Sequence, residues 1–349
     1  MHLEIQREQL EYLMKVVKVF KTKCKTKSTV LYLVFKDDCS EFIYSSEGFF
    51  IKLKVDYVAE FKGKFSLDLG FIANILTLFD NKDIIEIDFR DKLIVAHQKD
   101  TTLKGQVAGS PNYESFIIDE SQLEEVPIPF TLSNKLLALN LEELGITAKD
   151  PYVHLYNVKK DKLIKMSSFC ALIQTLDNLA QCETTLTQDV LSVCSVIDGD
   201  VQYFKYYNSF YIKGDEIEVK MPLANIQFPS LDIIINKVKS GCENFLLKSA
   251  DMLDICEKCC NLNLDKKVNR TDVVFKGGFI MYSYNNILTG SVESGLDIDW
   301  KMSFNPLLMR SILKYIDEEC VIVSKNNDTR TILISNLSKT TTFMLALCK

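Results

Sequence analysis

Six times along this chain an alternating apolar strand runs into a polar residue and then into an amphipathic helix. The copies begin at Leu3, Phe65, Phe130, Thr184, Phe245 and Met302, at spacings of 62, 65, 54, 61 and 57 residues. Self-similarity at so even a period is the mark of an array, in which each copy is one supersecondary unit and neighbours complete its core. Asp68, Ser133, Thr187 and Asn305 stand at helix-capping positions. Pro306 follows Asn305 at the first helical position, where a missing N–H costs nothing.

After each helix the pattern returns to period two. The first copy gives strands over 30–36, 40–45 and 49–55, the second over 84–89, 92–97 and 103–107, and the last over 319–324, 330–335 and 341–347, with DDCS, SSEG and FRDK as turn signals. Each copy therefore reads strand, helix, three strands: an α+β pattern, with two copies to a domain. Boundaries fall where the strand pattern lapses, in the acidic stretch 121–126 and near 229–241. The division is 1–122, 127–229 and 241–349.

Composition is that of a globular protein, 47% hydrophobic and 25% charged, with only 13 Gly and 7 Pro. No apolar run reaches the roughly 18 residues of a membrane helix, and no signal peptide is visible. Eleven Cys, an odd number, point to reduced thiols. The net charge of −6 argues against a nucleic-acid partner, but its distribution does not. From Arg7 to Lys27 there are seven basic residues and two acidic ones, so this segment is +5 and the rest of the chain −11.

In the first helix Leu10, Leu13, Met14 and Val17 share one face, and Arg7, Glu11, Lys15 and Lys18 the other. Lys21, Lys23, Lys25 and Lys27 follow in a loop. The sixth helix places Arg310 and Lys314 at i, i+4, away from Leu308, Ile312 and Ile316. Both are faces able to meet phosphate, and both are also what a solvated helix presents. Cys256, Cys259 and Cys260 have a C-x-x-C spacing, but no second pair completes a zinc site, and they continue the apolar stripe of Met252 and Leu253. His2, His97 and His154 lie near no nucleophile-like turn, and no phosphate-loop, nucleophile-elbow or zincin motif occurs.

The order of elements, the opening LEIQREQLEYLM, the SPNY and FPSL phrases closing the first two pairs, and the FNPLLMRSILKYI helix resemble the bacterial DNA polymerase sliding clamp, the β-clamp family, over the full length. The resemblance implies a three-domain clamp fold in which two chains close a ring, helices inside and sheets outside. It implies a processivity factor that encircles duplex DNA without reading sequence and tethers the replicative polymerase. Such a protein is a non-catalytic subunit of a polymerase holoenzyme in a bacterial or phage-infected cytoplasm, loaded by a clamp loader, with no cofactor, metal or membrane. DNA would meet Arg7, Lys15, Lys18, Lys21, Lys23, Lys25, Lys27, Arg310 and Lys314. A pocket for partner peptides would take Leu155, Ser167, Leu172, Pro229, Ile233, Ile234, Met344, Leu345, Leu347 and Cys348. The dimer interface would take Ile75, Leu262 and Leu264. Where the family has a Gly-His-Arg-Leu-like stretch this chain has Phe169, Cys170, Ala171 and Leu172, which implies an altered peptide preference. The rival reading is a monomeric, non-ring polymerase accessory protein that binds DNA directly; a third is an enzyme with the Cys cluster as its site.

Overall fold

The computed structural model describes residues 2–36, 39–55, 63–80, 84–90, 92–107, 117–126, 135–139, 150, 152–197, 199–262 and 270–348. Its contacts gather into two compact units. One holds Met1–Ser133 and Asp189–Ala224, the other Asn134–Gln188 and Asn225–Lys349. The middle pair of repeats is thus divided, its third copy going to one unit and its fourth to the other.

The first unit runs β1 (His2–Gln6), α1 (Arg7–Thr22), β2 (Val30–Phe35), β3 (Ser40–Ser46), β4 (Phe49–Val55), β5 (Gly63–Asp68), α2 (Leu69–Leu78), β6 (Ile84–Arg90), β7 (Leu93–Gln98), β8 (Thr101–Gln106) and β9 (Leu123–Glu125). The chain returns to it with β14 (Val201–Tyr206), β15 (Ser209–Gly214) and β16 (Ile217–Pro222). The second unit holds β10 (Leu155–Lys159), β11 (Lys162–Met166), β12 (Cys170–Thr175) and β13 (Thr184–Thr187), the last running into α3 (Gln188–Cys194). After the fourth copy follow α4 (Asp232–Lys239), β17 (Glu243–Lys248), α5 (Ser249–Asn261), β18 (Thr271–Lys276), β19 (Phe279–Tyr284), β20 (Leu288–Glu293), β21 (Trp300–Phe304), α6 (Pro306–Ile316), β22 (Cys320–Lys325), β23 (Thr331–Ser335) and β24 (Thr341–Ala346).

Among the described residues each unit has one four-stranded and one eight-stranded antiparallel sheet: β1-β6-β7-β8 with β5-β2-β3-β4-β16-β15-β14-β9, and β20-β19-β18-β21 with β13-β10-β11-β12-β24-β23-β22-β17. The leading strand of a repeat does not pair with its own three strands. β1 pairs with β6 and β5 with β2; likewise β17 pairs with β22 and β21 with β18. The repeats of the first and last pairs thus exchange their first strands, so neither copy of such a pair completes its sheet alone. A second join runs between pairs: β4 on β16, and β12 on β24.

Helices α2 and α6 start at the caps the sequence marks, whereas α1, α4 and α5 start without a side-chain cap. The Asp68 carboxylate accepts from the Gly70 amide, and Asn305 accepts from the amides of Leu307 and Leu308 with Pro306 at the first position. Ser133 lies outside the described residues. Strand bounds agree with the sequence pattern to within one or two residues. Two described elements were not foreseen by the pattern: β9, in the acidic stretch where a boundary was expected, and α4, formed from the Asp232–Ile235 run at the other expected boundary.

Candidate nucleic-acid interface and partner pocket

Helix α1 buries Leu10, Leu13, Val16, Val17 and Phe20, and leaves Lys15, Lys18 and Lys21 exposed. The three lysines are spaced three apart, so they ascend one side of the helix. They form one bank of a groove of about 540 Å3 whose floor and far bank are Met14, Val17, Leu69, Gly70 and Ala73. Gly70 and Ala73 keep the far bank low, and α2 carries no charged residue at all. Lys23, Lys25 and Lys27 are exposed in the turn that follows, Lys25 in the left-handed region at φ 54°. Of the residues named for DNA in this segment, the six lysines are exposed and Arg7 is not.

Arg7 is a correction. It is buried, and its guanidinium donates to the carbonyls of Leu76 and Phe79 and to Glu11, 2.7 Å away. Helix periodicity put it on the polar face, but as the first residue of α1 it lies over the C-terminus of α2, whose last carbonyls have no partner within the helix. In the second unit Arg310 is half-buried. Lys314 is exposed, with its Nζ 3.4 Å from Glu257 of α5. That helix also carries Asp251 and Asp254, so the basic face of α6 has acidic neighbours.

The peptide-pocket residues sort by strand parity. Successive side chains of a strand point to opposite faces, so register decides which residues meet. Leu155, Met166, Ala171 and Met344 lie in one row across β10, β11, β12 and β24, and Asn157, Ile164, Ile173 and Thr342 in the next row of the same face. Leu172 and Leu345 point the other way, into the core where Phe343 meets Tyr315 of α6 with ring centroids 5.4 Å apart; they are 0% and 1% exposed. The expectation that they line a pocket is corrected by one residue of register: Ala171 stands where Leu172 was expected.

Over the outer face lies a strap, residues 227–239. Phe228 packs edge-on against Tyr152 at 5.4 Å, and Leu231 and Val238 are buried. Asn326, in the turn after β22, donates to the carbonyls of Lys237 and Ser240 and so ties down the end of α4. Between strap and sheet is a cavity of about 300 Å3, floored by Asn157, Ile164 and Ile173 and roofed by Phe228, Pro229, Leu231 and Ile235, with Lys159, Lys160, Lys162, Glu183 and Asp232 around its mouth. Of the named pocket residues, Pro229 lines this cavity, and Leu155 and Met344 share its sheet face. Ser167 is buried in the β11–β12 turn, hydrogen-bonded to Cys170. Phe169 is exposed at the tip of that turn, and its carbonyl accepts from Ala346. Leu347 and Cys348 are half-buried, their amides donating to Arg330 and Ser303. Ile233 and Ile234 face solvent on α4, 78% and 42% exposed, and do not line the cavity. The sequence signal for the cavity was the FPSL phrase; its floor could not be found without the register.

Ile75 is wholly buried beneath α2, so it belongs to the core and not to a dimer surface. Leu262 is half-buried at the end of α5, and Leu264 lies outside the described residues. Cys256 and Cys259 are buried on the core side of α5, and burial holds the Cys256 thiol well above its ordinary range. Among the described residues no group of three or more His, Cys, Asp or Glu is placed to hold a metal. No described helix is long and apolar enough to cross a membrane.

No family model and no curated protein matches the chain by sequence. Solved structures match it over its whole length and theirs. A putative DNA polymerase III β subunit from Eubacterium rectale is 12% identical with a TM-score of 0.80. The DNA polymerase III β subunit of Pseudomonas aeruginosa is 13% identical at 0.80, and the Helicobacter pylori β clamp bound to a DNA ligase peptide 13% identical at 0.78. The chain has the β-clamp fold from end to end.

Proposed function

We propose that this chain is a DNA sliding clamp, a ring of two copies that encircles duplex DNA and holds a polymerase to it without doing chemistry itself. The observation that carries the reading is a counting rule in the sheets. Where two pairs of repeats join, the last strand of one repeat meets the last strand of the repeat three further on: β4 of the first with β16 of the fourth, β12 of the third with β24 of the sixth. Two last strands remain, β8 of the second repeat and β20 of the fifth, and both are sheet edges. Three on from the fifth is the second repeat of another copy. Pairing β20 with a partner's β8, twice, completes two more eight-stranded sheets and leaves neither of these edges open. The full-length likeness to β clamps supports the same assembly, and the strap cavity is the natural seat for the kind of peptide the H. pylori clamp is seen to hold.

In such a ring the lysines of α1 and its turn would meet phosphate and position the duplex without reading bases. Topology would do most of the holding, so a modest cationic face suffices. The test is mass and topology together. Light scattering should give twice the chain mass, and loaded protein should stay on nicked circular DNA and leave the same DNA once linearised. A monomer at micromolar concentration, held on linear DNA by salt-sensitive affinity, would instead establish the non-ring accessory protein. Removing residues 347–349 should abolish polymerase stimulation while the dimer persists; unchanged stimulation would sink the assignment of the pocket.

A further inference from the structure

The first, third and fifth repeats are built alike, and their outer sheet faces can be compared position by position. Counting back from the last paired residues before the hairpin turn, Asn157 and Ile164 of the third repeat correspond to Val274 and Met281 of the fifth, and Lys159 and Lys162 to Lys276 and Phe279. In the third repeat this face lies under the strap. In the first, the outer-face residues Val34, Ile43 and Phe50 form a buried apolar cluster. In the fifth the same face is open: Met281 is 41% and Phe279 46% exposed, with Val274 beside them and Lys276 and Lys301 at the margin. Two large exposed apolar side chains beside Val274 make a contiguous apolar patch, which marks a contact surface.

We infer that this face is a docking surface for a partner segment with the strap's own pattern: an aromatic residue, a leucine three positions on, and an acidic residue next to that leucine. The strap shows what such a face accepts. Phe228 and Leu231 supply its apolar contacts, and Asp232 lines the cavity mouth together with Lys159, the counterpart of Lys276. Charge complementarity sets the direction of the segment: Lys276 and Lys301 stand on the β18 and β21 side of the apolar pair and Glu293 on the β20 side, across from Phe279, so the segment's acidic residue lies toward β18. The surface is complete within one chain and goes beyond the ring reading, standing whether the protein is monomer or dimer.

The test is a calorimetric titration of the full-length protein with a synthetic peptide of the sequence 227–236, whose one charged side chain is Asp232, with the Met281 methyl resonance followed in the unsubstituted protein. The resonance should shift saturably, and Met281→Glu and Phe279→Asp, both at exposed positions, should each abolish binding. A peptide carrying Asp232→Lys should bind about tenfold more weakly, the scale of one charge pair. Lys276→Glu in the protein should restore its binding. A Met281 resonance that stays put at millimolar peptide, or a charge swap without rescue, would overturn the inference and leave the ring reading untouched.

Discussion

The guanidinium of Arg7 donates to the carbonyl of Phe79, seventy-two residues away, and so ties the first repeat to the second. Its second nitrogen donates to the Leu76 carbonyl, and Glu11 balances its charge. These carbonyls are orphans of the α2 C-terminus, where negative partial charge collects and a cation is favoured. Arg7→Ala should therefore cost about 3 kcal/mol in urea unfolding, since it strands buried acceptors that a charged donor satisfied. Arg7→Lys should recover only part, because a single ammonium lacks the planar fork whose separate nitrogens reach Leu76, Phe79 and Glu11 together. If Arg7 instead served DNA, stability would hold while DNA retention fell.

Lys15, Lys18 and Lys21 should behave in the opposite way. They are exposed on α1, and replacing one with alanine should shift unfolding by no more than about 0.5 kcal/mol. Each lysine that meets phosphate should contribute about 0.9 to the slope of log affinity against log salt, so the triple variant should lose between two and three units of slope. A slope unchanged in the triple variant would show that this helix does not face DNA.

Arg7 and the lysines also mark how far the sequence could be read. Period and capping gave the array, the α+β pattern and nearly every strand, because those signals are local. Helix periodicity placed Lys15 and Lys18 correctly and misplaced Arg7, since a first-turn residue is governed by what lies beyond the helix end. Leu172 and Ala171 differ by one position, and only cross-strand register says which faces the strap. The exchange of β1 and β5 between repeats is likewise silent in the sequence: both strands keep their alternation whichever repeat they join. The Asp232–Ile235 run was legible as apolar, but its helix depends on tertiary anchors such as Asn326.

His2 and Asp88 face each other across β1 and β6, with His2 Nδ1 3.0 Å from the carboxylate. That hydrogen bond raises the His2 pKa, and the same bond holds Asp88 below its ordinary value. A histidine raised in the folded state stabilises fully below about pH 6.5 and loses its effect as pH rises through the folded value. A lowered carboxylate stabilises above its unfolded value, and the effect is lost as pH falls through the folded one. The β1–β6 pairing should be firmest from about pH 4 to 6.5, and β1 amides should exchange faster at pH 8 after correction for intrinsic rates. His2→Gln should remove the difference; persistence of it in that variant would exclude His2 as the cause.

Leu103 of β8 and Val292 of β20 are the side chains that ring closure would change most. Both are half-buried on the core side of an edge strand, Leu103 opposite Ala96 and Val292 opposite Ile280. Edge pairing would extend the core across the seam and remove the exposure they retain. A glutamate there is tolerable in the free chain, where it reaches water, and costly in the closed seam, where it does not. Leu103→Glu and Val292→Glu should each give a folded monomer by light scattering, with circular dichroism unchanged and retention on circular DNA lost. Each edge strand carries a glycine with an aromatic ring packed where a Cβ would stand, Phe71 over Gly105 and Tyr282 over Gly290. Gly105→Val and Gly290→Val should therefore weaken the dimer through displaced rings. A dimer of undiminished affinity in all four variants would place the interface elsewhere.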